Sequence, residues 1–437
     1  MLMNKFTTMN SKTCSCGKIH SHSIKEILIG SGVINQLPSL LADYKKAFIL
    51  CDINTIEAAG NKICNILDNA GVLYTCYVIN EKTPEPYERS VGSVIMHYDT
   101  TCDVIISVGS GVLNDIGKIL ANVTNNPYII VATAPSMDGY ASKTSSMTRD
   151  GLKISLPSKN ADYIIGDSDI LCKAPIKMLA SGLGDMIAKY VSICEWKLSN
   201  IITGEYYCDE IAQLVKGSLK KCVDNADGLM NREPQAVLAV FEGLVICGAA
   251  MTYAGLSRPA SGCEHYLSHI WDMRSVEFNT NVDFHGVQCA LGTLIISRLY
   301  EQLKVYTPDK IKAMNYANSF DVDKWYDVLK EFLGSGADSM IELDKKEQKY
   351  NIKAHEERLD IIISNWNTIL KIIDEEIPSS NDIFKLLKKL NLPVTTEEIG
   401  IPSELVPLTF KTSKDIRDKY VLSRLAWDLG IIDELKY

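Results

Sequence analysis

Three of the chain's seven histidines fall within residues 261–285, in the run SGCEHYLSHIWDMRSVEFNTNVDFH. His265 and His269 stand four apart in a segment of helical character, so both rings can face one site. His285 opens a second helical run, HGVQCALGTLIISRLY, where the helix dipole favours a neutral ring able to ligate. Imidazole binds divalent transition metals, and pairs at this spacing are a usual way to present it. A helix with partly exposed polar residues would also carry such a pair; the third histidine favours a metal. The carboxylate partner is Asp185, in Ser181-Gly-Leu-Gly-Asp185-Met-Ile-Ala-Lys189. There a glycine pair is expected just before a helix, with Asp185 in its first turn. Alone, that motif would read as a helix cap with a surface ion pair to Lys189. One aspartate and two histidines leave coordination positions open, as a catalytic metal requires.

A cofactor site is expected at Gly109-Ser110-Gly111-Val112-Leu113-Asn114-Asp115, a glycine turn between a buried strand and a helix. Such a turn lets backbone approach a pyrophosphate, and the helix N-terminus adds N–H groups and a positive dipole end. It lacks the third glycine of the GxGxxG pattern. Asp52 closes the apolar run Lys46–Cys51, where an acid can hydrogen-bond a ribose hydroxyl and repel a 2′-phosphate. That favours NAD over NADP, with NADP still admitted. Thr133, Ala134, Pro135 and Ser136 open a hydroxyl-rich loop that continues through Asp138 and Ser142 to Lys143, suited to a nucleotide or a substrate hydroxyl.

The elements that must position these residues change character along the chain. Up to about residue 170, short apolar runs (Ile24–Ile29, 46–51, 73–79, 104–107, 128–132) alternate with helical patterns. That alternation predicts a doubly wound α/β domain. Beyond it the patterns are helical: 180–199, 206–226, 234–254, the histidine window, and an amphipathic tail from Asp415. A Lys/Glu-rich stretch, 345–357, reads as a solvated helix surface. At 437 residues two domains are expected: a Rossmann-like domain over 1–170 with an arm at 1–23, and an all-helical metal- and substrate-binding domain over 171–437. A net charge of −9 argues against nucleic acid as a partner. No apolar run is expected to span a membrane. Thirteen scattered cysteines and no secretory signal read as reduced thiols in a cytoplasm. The segment Cys14-Ser-Cys16-Gly-Lys-Ile-His20-Ser-His22 has metal-ligand types but no second pair to close a four-ligand set, so a flexible or strand-like N-terminal arm is the expectation, with accessory metal binding the alternative.

Taken together, GSGVLNDIGK, TAPSMDGYAS, SGLGDMIAKY, SGCEHYLSHIWDM and HGVQC resemble the metal-dependent polyol dehydrogenases that also include dehydroquinate synthase. The motifs are most similar to the bacterial-type sn-glycerol-1-phosphate dehydrogenase branch. The resemblance covers residues 14–300. It implies cofactor and metal in a cleft between a Rossmann-like and a helical domain, with zinc or nickel on Asp185, His265 and His285. It further implies that Asp185 takes part in catalysis and substrate binding, that His269 contacts substrate and relays a proton, and that Asp138 contacts substrate. Gly111 to Asp115, Thr133, Ser136 and Ser142 fall on dinucleotide contacts. The glycine turn departs from the GGG of many relatives, and Met137 stands where archaeal relatives tend to have histidine. The implied activity interconverts dihydroxyacetone phosphate and sn-glycerol 1-phosphate with NAD(H), in a homodimer. A glycerol dehydrogenase or a dehydroquinate-synthase-like cyclase are the alternatives. Lys143, Lys153 and Arg274 are candidates for the substrate phosphate by sequence proximity alone.

Overall fold

The computed structural model describes residues 12–149 and 152–437. They form two compact units. The first comprises residues up to Met186 together with Gln213–Leu256, and the second comprises Ile187–Ala212 and Ser257–Tyr437.

The first unit opens with a two-stranded hairpin, β1 (Lys12–Thr13) and β2 (Ile19–His20). Then come β3 (Glu26–Gly30), β4 (Ala47–Asp52), β5 (Tyr74–Ile79), β6 (Val104–Gly109) and β7 (Tyr128–Ala132). An antiparallel hairpin, β8 (Thr144–Arg149) and β9 (Leu152–Pro157), precedes β10 (Tyr163–Asp167). Six strands make one parallel sheet in the order β3-β10-β7-β6-β4-β5. The apolar runs AFILC, VIISV and YIIVA are buried along their whole length, as central parallel strands covered on both faces must be. On one face Ile49, Ile106, Val131 and Ile165 pack with Ile63 and Leu67 of helix Asn61–Ala70.

Three strands lie where no strand is expected from the sequence. β8 (TSSMTR) is mostly polar, with Ser145, Met147 and Thr148 buried, and β10 (YIIGD) is too short a run to stand out, yet it fills the sheet between β3 and β7. Asp167 ends β10 and ties it down: its carboxylate accepts the N–H groups of Gly32, Ile34 and Asp169 at 2.9–3.1 Å.

The expectation of no membrane-length apolar run needs correction. Helix Pro234–Ala254 is long and apolar enough to cross a membrane, but 78% of its apolar window is buried inside the protein. A core helix covered on all sides reads the same way as a span, because neither shows a polar face.

Among the described residues, the regular elements of the second unit are all helices. Side chains cap several of its helices: Asp309, Asp321, Asn351 and Ser379 each accept a backbone N–H from the first turn that follows. Helix Lys189–Thr203 ends on Gly204 at φ +73°, a left-handed cap that glycine adopts without strain. The expected helix 180–199 is in fact two, Ile176–Ile187 and Lys189–Thr203, joined at Ala188. Lys189 is not on the surface: it is fully buried and donates to the Ala260 carbonyl at 3.0 Å. The tail from Asp415 is not one helix either. Residues 415–421 run irregularly before helix Leu422–Asp428. The buried Asp415 carboxylate there accepts from Trp325, Tyr350, Lys414 and Arg424, which fixes the backbone outside a helix. Nor is 345–357 uniformly solvated, since His355 is buried and its Nε2–H donates to the Asp428 carbonyl at 2.9 Å.

Candidate functional site

In the first unit the sheet order reverses direction at β4. From β4 the chain moves one way to β5, then returns to place β6 on β4's other side. The crevice at such a reversal, beyond the carboxyl ends of the strands, is where open α/β sheets bind ligands. Its rims here are Asp52, the last residue of β4, and Gly109, the last residue of β6. The expected residues Asp52 and Gly109 to Asp115 therefore lie at one end of one sheet.

Asp52 is buried, and its Oδ1 accepts the N–H groups of Asn54 and Thr55, both at 2.8 Å. Ser110 stands before helix Gly111–Thr124, and its hydroxyl shares a hydrogen bond with Ser136. Backbone joins the two loops as well, the Thr133 N–H donating to the Gly109 carbonyl at 3.1 Å. Asn114 is buried and donates to the Gly139 carbonyl at 3.1 Å, and Leu113 packs into the core. Ser142 donates to the carbonyls of Gly139 and Thr144. The Ala134 carbonyl accepts from Tyr140. Met137 lies over the turn, 3.3 Å from where a Cβ on Gly111 would stand.

Lys118 ties this end together. It is fully buried, pairs with Asp115 at 3.0 Å, and donates to Gly139, Ser142 and Thr144. Its signal in the sequence is faint: an i, i+3 partner of Asp115 on an otherwise apolar helix face.

Ser181–Asp185 lies within helix Ile176–Ile187, not ahead of one, so Asp185 is in the last turn and not the first. The glycine does provide a close approach, though to protein: a Cβ on Gly182 would stand 1.8 Å from the Pro135 carbonyl oxygen. The Ser181 hydroxyl donates to the Ser136 carbonyl at 3.1 Å. Asp185 is buried, and its Oδ2 accepts the Asp138 N–H at 2.9 Å. The strand-end loop 133–142 and Asp185 are thus held as one piece.

In the second unit, His265 and His269 lie on helix Cys263–Phe278, and His285 is the first residue of helix His285–Lys304. The helices cross closely because Gly292 has no side chain: a Cβ there would stand 2.8 Å from the Glu264 carbonyl oxygen. The crossing brings the rings of His265 and His285 to 5.0 Å between centroids, and those of His269 and His285 to 5.9 Å, nearly parallel.

Two of these rings are anchored from behind. His265 Nδ1 meets Glu264 Oε1 at 2.7 Å, and His285 Nδ1 meets Ser268 Oγ at 3.1 Å. Each anchor occupies Nδ1 and leaves ligation to Nε2, the arrangement usual behind metal-binding histidines. Cys289, one turn after His285, brings its sulfur to 3.5 Å from His285 Nε2. Ligand atoms of His265, His285 and Cys289 all lie within 4.8 Å of one another. Burial pushes the Cys289 thiol up, but His265 and His285 beside it outweigh that and leave it below its ordinary value. Neither Cys289 nor Glu264 is among the expected site residues. Their sequence signals are the i+4 spacing from His285 and the acid preceding His265.

Of the phosphate candidates, Arg274 is engaged elsewhere: it donates to the Phe332 carbonyl and stacks over Phe278 and Phe332. Lys143 is exposed, and the side chain of Lys153 lies outside the described residues.

Residues 28–175 match the iron-containing alcohol dehydrogenase family. The chain is 31% identical over 312 residues to a glycerol-1-phosphate dehydrogenase [NAD(P)+] of Bacillus licheniformis, covering 69% of this chain and 77% of the relative. The chain belongs to the glycerol-1-phosphate dehydrogenase family. A second member, from Geobacillus thermodenitrificans, is 29% identical over 412 residues and spans 93% of both chains. Among solved structures, the glycerol dehydrogenase of Schizosaccharomyces pombe matches with a TM-score of 0.59 at 18% identity, covering 94% of this chain and 89% of that one. A 1,3-propanediol oxidoreductase matches with a TM-score of 0.58 at 14% identity, covering 94% and 98%. At those identities the two structures establish the family's fold: a parallel-sheet domain followed by a helical one.

Proposed function

We propose that this chain interconverts dihydroxyacetone phosphate and sn-glycerol 1-phosphate by metal-dependent hydride transfer with NAD(H), NADP(H) serving less well. The observation that carries the reading is the pair of back-anchored rings, His265 and His285, in a chain of this family. Asp185, His265 and His285 would hold one divalent zinc or nickel ion, since an aspartate and two neutral imidazoles suit either metal. When bound, the metal supplies Lewis acidity at the reacting oxygen and the nicotinamide supplies the hydride.

The protein's own residues do the rest. Glu264 and Ser268 keep the two ligating rings from turning. His269, half-buried one turn after His265, is the group that gives or takes the proton at the substrate oxygen. Asp138 meets a substrate hydroxyl, and its backbone N–H keeps the Asp185 carboxylate in place. The turn Gly109–Asp115 and the loop 133–142 receive the dinucleotide, the helix Gly111–Thr124 presenting its N-terminus to pyrophosphate. Asp52 faces the ribose and disfavours a 2′-phosphate. A cytoplasmic homodimer is the working form we infer.

The test is steady-state NADH oxidation with dihydroxyacetone phosphate, before and after chelation and on adding back Zn²⁺ or Ni²⁺. Activity is expected to vanish on chelation and return with metal. Full activity in the stripped enzyme sinks the reading. Faster oxidation of glycerol than of glycerol 1-phosphate would point instead to a dehydrogenase of unphosphorylated polyols.

A further inference from the structure

The cysteine and histidine arm at the start of the described chain has no place in the site above. Its turn is tight: Gly17 N–H donates to the Cys14 carbonyl and Cys14 N–H to the Lys18 carbonyl, both at 2.9 Å. Gly17 takes φ +82°, which side-chain-bearing residues rarely adopt. The hairpin so closed brings ligand atoms of Cys14, Cys16 and His20 within 4.8 Å of one another. Cys16 Sγ is 3.4 Å from His20 Nε2. Cys14 and His20 are buried.

The other side of the His20 ring fixes its role. Nδ1 lies 3.0 Å from the Tyr253 carbonyl oxygen, in helix Pro234–Ala254. A carbonyl only accepts, so Nδ1 carries the proton and Nε2 turns its lone pair to the sulfur. Held in this way behind one nitrogen, the ring presents the other as metal-binding histidines do. The ring of Tyr253 also packs against His20 and His22.

The geometry points to a zinc site at this hairpin, made by Cys14 Sγ, Cys16 Sγ and His20 Nε2. Two thiolates and one imidazole are donors that zinc takes in structural sites. Binding releases two thiol protons to solvent, and no electron changes hands. The ion would fasten the N-terminal arm to helix Pro234–Ala254 through the His20–Tyr253 bond. This site stands independently of the dehydrogenase reading.

The test is zinc per chain, by mass spectrometry of the full-length protein dialysed against zinc-free buffer. Cys14→Ser and Cys16→Ser are expected to carry one equivalent less than wild type, and Cys16→His, which restores a donor, to keep it. Asp185→Asn is expected to lose the other equivalent and leave this one, so the two sites fail separately. Equal zinc in wild type and Cys16→Ser overturns the hairpin site. If Cys16→Ser does not fold, Co²⁺ loading of Cys289→Ser decides, since that variant lacks the thiol beside the histidine cluster. Thiolate-to-metal charge-transfer absorption supports the hairpin site, and its absence overturns it.

Discussion

At the ends of β4 and β6 the groups offered to a ligand are backbone N–H groups and small hydroxyls. At residues 265–289 they are the rings of His265 and His285 and the Cys289 thiol, each held by another side chain. The first region is made of main chain held by a sheet, so it is sensitive to atoms added. The second is made of side chains propped from behind, so it is sensitive to partners removed.

Removing a ring tests that contrast most severely. His285→Ala is expected to lose the bound metal and to drop kcat/KM by more than about a hundredfold, because a ligand matters more than its support. Near wild-type turnover in that variant breaks the contrast outright. Glu264→Gln keeps the shape behind His265 but removes the charge, and should cost about 10–100-fold in metal affinity. Titration of the apo protein with Zn²⁺ measures it, and an unchanged affinity would show that the ring needs no anchor. In the sheet-bearing unit the telling change adds an atom. Gly182→Ala puts a methyl group 1.8 Å from the Pro135 carbonyl oxygen, and should destabilise the fold by about 1–3 kcal/mol. Thermal or urea unfolding reads that loss; a neutral result would mean the loop 133–142 shifts freely. Asp52→Asn removes a charge from the crevice rim and is expected to raise use of NADPH relative to NADH by about tenfold, near 1.4 kcal/mol. The ratio of kcat/KM for the two cofactors decides.

A last effect concerns the buried carboxylate of Glu195, which accepts the N–H of Cys263 at the start of the first histidine helix. Burial, joined by the charge of Glu264, pushes Glu195 up to about 8 from its ordinary 4.5. The folded chain then holds a proton that the unfolded chain has given up, so this contribution is complete below about pH 4.5 and is lost as pH rises through 8. Melting temperatures across that window should fall with pH in wild type and fall less in Glu195→Gln. Parallel curves would show that Glu195 does not carry the slope.

Much of this was legible in residue types. Continuous apolar runs announced β4, β6 and β7, since strands buried on both faces have no polar alternation to hide them. The histidine spacing announced two helices bearing rings on one side. β10 was not legible, because five residues ending in Gly-Asp look like a loop until the sheet has a gap between β3 and β7. The glycines of Ser181–Asp185 misled, because a glycine needed for helix-to-backbone contact has the same letter as one needed for a turn.

The sequence alone determined which chemistry the chain carries: imidazoles at a shared face, a glycine turn after a buried strand, an acid at a strand's end. Those are matters of side-chain type and of periods of two and 3.6, which are local. Tertiary structure decided what stands behind each group. Glu264 behind His265, Ser268 behind His285, Lys118 across 139–144 and the Tyr253 carbonyl behind His20 all depend on how elements pack. No local pattern encodes a second neighbour that the fold supplies from elsewhere in the chain.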